Sequence, residues 1–124
     1  MNFEMTAEEL AVVDSAEQVA REVIQPLAQH YDETETFCLA SIKALGDLGC
    51  MGINLPEEYG GPGIGSLAMS RVVEAVAGAC ASTASAMTAH FLATDSILLG
   101  GTEEQKQEWL PRAASGELLG AFAL

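Results

Sequence analysis

Residues 100–124, GGTEEQKQEWLPRAASGELLGAFAL, decide how this chain is read. A double glycine closes an apolar run, and a helix start follows. Thr102 is a good N-cap, and Gln105 stands where a capping box needs a side chain reaching back. Glu103 and Glu104 put negative charge on the positive end of the helix dipole. Trp109 and Leu110 supply buried weight, with Trp109 read as a core anchor, and Pro111 bends the final turn. Gly116 permits the turn out. Leu118 to Leu124 is then an apolar run short enough to be a strand. Its backbone groups need neighbouring strands, and nothing earlier in the sequence is suited to supply them.

Working back from that stretch, every long segment reads as helix. Thr6 and Glu9 form a capping box. From there Leu10, Val13, Ala16, Ala20, Val23 and Leu27 make one apolar stripe, which Pro26 should kink or end. Tyr31 to Thr36 is a polar connection, with His30 beside it at the surface. A second helix spans about Phe37 to Leu48, its inward face made by Leu39, Ile42 and Leu45, with Gly49 as its C′ glycine. CMGINLPEEYGGPGIG, residues 50–65, is an irregular loop with Ile53 and Leu55 buried. Its glycines serve backbone turning rather than phosphate binding, since Glu57 and Glu58 flank it where a base would be needed.

A third helix starts near Ser66, with Arg71 and Glu74 facing out. The fourth, from about Ala81 to Leu99, carries one charge, Asp95, and is small or apolar on nearly every side. It should therefore be buried all round. Ser85, Thr88 and Leu92 share one of its faces. Small residues there either let helices pack closely or leave room for a ligand. His90 has no acidic or cysteine partner at ligand spacing and reads as a hydrogen-bonded core or boundary histidine. The fold class is all-α, a bundle of about five main helices with a short extended segment at the C-terminal end.

Composition narrows the function. The chain has 124 residues, 49% of them hydrophobic, which suits one domain with a real core. Eighteen acids against five bases give a net charge of −13. That excludes nucleic acid and anionic membrane surfaces as direct partners, because both need a positive patch. Cys38, Cys50 and Cys80 have no metal or redox spacing and read as buried, reduced thiols of a cytoplasmic protein. The acidic start MNFEMTAEEL has no apolar signal core. No stretch approaches the roughly 18 apolar residues of a membrane span. No catalytic triad, metal cluster or dinucleotide fingerprint is legible.

Gly-Thr-Glu-Glu-Gln-Lys (101–106), Trp-Leu-Pro (109–111), Ser-Gly-Glu (115–117) and Gly-Ala-Phe-Ala-Leu (120–124) together resemble the acyl-CoA dehydrogenase family. The Pro-Glu-Glu-Tyr-Gly-Gly loop, residues 56–61, resembles the same family. The resemblance covers the whole chain but only the first of the family's three domains. It implies a helical N-terminal domain over 1–117, and the start of a flavin-binding β domain over 118–124.

Members of that family convert an acyl thioester to the trans-2-enoyl thioester, a glutamate taking the α proton and a flavin the β hydride. The resemblance therefore implies FAD, an acyl-CoA or acyl-carrier thioester substrate, and a homo-oligomer once the middle and C-terminal domains are present. It makes Ser85, Thr88 and Leu92 candidates for the wall of the acyl slot, and matches Phe122 and Leu124 to the first residues of a flavin-contacting strand. It assigns no catalytic residue and no metal ligand to this chain, which alone should neither hold FAD nor dehydrogenate. Two other readings stand beside it. One is a free-standing acidic helical interaction module. The other is an acyl-carrier-like protein modified at Ser96, within Asp95-Ser96-Ile97, although Ser96 is expected deep in an apolar helix.

Overall fold

A computed structural model of the protein describes residues 3–123. Helix α1 (Ala7–Val19) begins at the expected box: Thr6 Oγ1 accepts from Glu9 N–H, and Glu9 returns a carboxylate oxygen to Thr6 N–H. It does not end at Pro26. A single π-helical turn, Ala20–Ile24, carries it into α2 (Gln25–Thr34), and Gln25 N–H reaches back five residues to Ala20 O. The physical reason is the missing proline donor. Widening the turn just upstream absorbs the donor that Pro26 lacks and gives its ring room against the carbonyls of the preceding turn.

Two expectations change with it. The polar connection starts later, because Tyr31 to Thr34 are helical and Glu35 closes the helix in the left-handed region at φ 51°. The stripe also shifts. Val13, Ala16, Ala20 and Ile24 are buried, Val23 and Leu27 are only half-buried, and Leu10 is exposed.

Helix α3 (Leu39–Asp47) buries Ser41, Ile42 and Leu45, whereas Leu39, expected inward, is 66% exposed in its first turn. Gly49 takes φ +76° as its C′ glycine. Two 3₁₀ turns, Cys50–Gly52 and Glu57–Tyr59, shape the loop that follows. A Cβ on Gly61 would run into the Leu55 carbonyl, and one on Gly52 would stand 2.6 Å from Ala114 Cβ. Both glycines are thus required for close approach, while the backbone turning read from sequence falls to Gly60 and Gly63, at φ +88° and +64°.

Helix α4 (Ser66–Ala79) and α5 (Ala81–Gly100) meet at Cys80, a single extended residue. Helix α6 (Glu103–Ala114) opens with the second expected capping box, Thr102 with Gln105. With α1, the π turn and α2 forming one rod, the described residues give five main helical rods and no strand.

Helix α4 packs against both the first rod and α5, and α6 packs against α5 and the Cys50–Gly52 turn. The main core joins Val13, Ile24, Leu45, Met51, Val72, Val76, Met87 and Phe91. A smaller one, Leu55, Tyr59, Leu110 and Ala114, fixes the glycine loop to α6. Tyr59 Oη donates to Glu103 at 3.0 Å across that junction, and burial followed by this carboxylate raises the phenol pKa. Trp109, expected in the core, is instead 40% exposed, because its neighbour Leu110 takes the inward position of α6. The three cysteines are buried and free, and burial pushes the Cys50 thiol up to about 11.

Candidate functional site

Helix α5 is not buried all round. One side carries Thr83, Ala84, Met87, His90, Phe91 and Thr94 inward. The opposite side is open: Ser85 is exposed, Thr88 half-buried, and Leu92 57% exposed. Small polar residues and large apolar ones occur on both sides of this helix, so composition does not separate its two faces. Ser85 joins Ala81, Ser82, Ala86, Ala89 and Phe37 around a shallow groove of 530 Å³. Thr88 and Leu92 continue the same face beyond the groove without lining it. Phe37, 52% exposed and just ahead of α3, is the member from outside α5 that the sequence reading missed, as it missed the lining roles of Ala81, Ser82, Ala86 and Ala89. Its only signal was an aromatic residue directly after a polar connection.

Two polar ties position this helix. Asn54 Nδ2 donates to Thr94 Oγ1 at 2.9 Å and to Asp95 Oδ1 at 2.7 Å, so the one charge of α5 is partnered by the loop. His90 is fully buried, with Nε2 3.1 Å from Met51 O and Nδ1 accepting from Gly120 N–H at 2.9 Å. Burial lowers its pKa, and the Met51 and Ala113 carbonyls work in the other direction. The hydrogen-bonded core role expected of His90 is what the structure shows. Ser96, expected deep in the helix, is exposed on its outer side, and its hydroxyl donates to Leu92 O at 2.7 Å.

After α6 the chain turns at Gly116, φ +78°, and Leu118 N–H donates to Arg112 O. Residues 119–123 then run without regular secondary structure, held by Gly120 against α5. Phe122 is 46% exposed, and Leu124 lies outside the described residues. The exposed Phe122 ring thus stands beside backbone that makes no hydrogen bond over 121–123 to other described residues. Among the described residues, no group of three or more His, Cys, Asp and Glu side chains could hold a metal ion. No helix among them is long and apolar enough to cross a membrane.

The family model described as "Acyl-CoA dehydrogenase, N-terminal domain" matches residues 6–117. The chain belongs to the acyl-CoA dehydrogenase family. A probable acyl-CoA dehydrogenase of Bacillus subtilis, YngJ, is 43% identical over 125 residues, covering 100% of this chain and 33% of the relative. Butyryl-CoA dehydrogenase from Megasphaera elsdenii superposes with a TM-score of 0.89 at 29% identity, covering 100% of this chain and 33% of that one. An acyl-CoA dehydrogenase complexed with FAD from Bacillus anthracis superposes at 0.84 and 29% identity, over 94% of this chain and 20% of that one. The chain thus spans about a third of the length of the curated acyl-CoA dehydrogenase it matches.

Proposed function

We propose that this chain is the helical domain of a flavin-dependent acyl-CoA dehydrogenase, and that the outer face of α5 walls its acyl slot. The observation carrying the reading is that Ser85, Thr88 and Leu92 lie on an open face, in a chain matching this family's helical domain. Leu92, being large and apolar, excludes water from one side of an acyl chain, and Ser85 leaves room beside it. When bound, FAD supplies the hydride acceptor for α,β-dehydrogenation of the thioester. Phe122 and Leu124 would contact it, while the base and most flavin contacts come from middle and C-terminal domains. The assembled enzyme is a homo-oligomer acting on a CoA or carrier-protein thioester. A reducing cytoplasmic setting fits the three buried free thiols.

The exposure of Leu92, Leu99 (86%) and Phe122 favours a domain that is covered over a free-standing module. Ser96 sits mid-helix with its hydroxyl turned back to Leu92 O, unlike a carrier serine at a loop–helix junction.

Leu92→Trp in the three-domain enzyme tests the slot. Its preference should move toward shorter acyl thioesters, by tenfold or more in relative kcat/KM. An unchanged chain-length profile would remove α5 from the slot. The purified 124-residue chain, loaded with FAD and passed through gel filtration, should elute without flavin absorbance. Retained flavin would overturn its dependence on the other domains.

A further inference from the structure

Two distant parts of the chain bond the His90 ring that α5 carries: the Cys50–Gly52 turn through Met51 O, and the C-terminal segment through Gly120 N–H. A neutral imidazole carries one proton for two nitrogens. The Gly120 N–H can only donate, and it points at Nδ1 from 2.9 Å. Nδ1 must therefore be the bare nitrogen. The proton is on Nε2, where it is given to the Met51 carbonyl at 3.1 Å. The opposite tautomer would set two N–H groups against each other and leave a buried carbonyl facing a lone pair.

The seat is also flush. A Cβ on Gly120 would stand 2.7 Å from Ala93 Cβ, so the backbone lies directly on α5. Among the described residues Gly120 is the last that a hydrogen bond anchors, since none ties 121–123 to the rest.

The geometry points to His90 as a positioning residue. Locked in its Nε2–H tautomer, it holds the Gly120 peptide and so sets the direction in which Ala121, Phe122 and Ala123 leave the helical domain. What Phe122 meets there rests on the flavin reading above, but the latch itself rests only on the two hydrogen bonds of the ring.

The test is made on the 124-residue chain. Nitrogen-15 NMR of the imidazole should show an unprotonated Nδ1 and a protonated Nε2 for His90. His90→Asn leaves an oxygen near the Nδ1 position and should preserve slow exchange of the Gly120 amide. His90→Gln keeps a donor toward Met51 O but no acceptor for Gly120, and should speed that exchange at least tenfold. A protonated Nδ1 overturns the proposal, as does equal Gly120 protection in all three proteins. If neither variant folds, the wild-type tautomer still decides. None of these readouts involves flavin. Failure of the latch would leave the acyl-slot and flavin assignments standing, and their failure would leave the latch intact.

Discussion

The Glu9 carboxylate joins the starts of two helices: one oxygen accepts from Thr6 N–H at 2.8 Å, the other from Gly65 N–H at 3.0 Å. Gly65 is the N-cap of α4, so α1 and α4 are clipped together at their positive ends by one negative group. The two backbone bonds, Thr6 first, hold the Glu9 carboxyl below its ordinary value. A depressed folded pKa means that the unfolded chain binds the proton more readily. The stabilisation is therefore present above the ordinary carboxylate value and lost as pH falls through the lower folded one. Wild type should melt higher than Glu9→Gln near neutral pH, with the two curves converging in acid. A gap in Tm that persists unchanged at the acid end would show that charge plays no part.

Glycines in this fold should respond to alanine with opposite signs. Gly61→Ala forces a Cβ against the Leu55 carbonyl and 2.7 Å from Gly52 O, both rigid backbone. A loss of about 3 kcal/mol is expected in urea unfolding. Gly78 lies exposed within α4 with open space around it, and Gly78→Ala should add up to about 1 kcal/mol.

Two buried hydroxyls, Ser41 Oγ and Thr83 Oγ1, have no hydrogen-bond partner among the described residues. Each was desolvated on folding without compensation. Thr83→Val keeps the branched shape and removes the orphan, so it should stabilise the chain by about 1 kcal/mol. A calorimetric melt no higher than wild type would mean that the hydroxyl is satisfied in solution.

Met87 and Leu92 stand on opposite sides of α5, the first fully buried and the second 57% exposed. Met87→Ala should cost about 3 kcal/mol by opening a cavity. Leu92→Ala should change stability by less than about 0.5 kcal/mol. Equal losses in denaturant unfolding would mean that the outer face is covered in the isolated chain.

Local chemistry alone determined much of this protein. Both capping boxes, the Gly49 cap and the all-helical class follow from side chains acting within a few residues of themselves. So did the family, carried by the loop at 56–61 and the motifs after Gly101. Tertiary structure decided the rest. Pro26 was absorbed by a π turn because the rod continues against the core past it, which no local rule for proline contains. The open face of α5, and the exclusion of Trp109 from a core that Leu110 enters as expected, depend on where neighbouring helices end. Those neighbours lie far along the chain, and residues of mixed size on both sides of α5 leave no periodic signal of them. The His90–Gly120 and Glu9–Gly65 contacts span 30 and 56 positions and use backbone N–H groups, which are identical at every non-proline residue. A sequence cannot mark which of them a side chain will choose, and only the packed fold does.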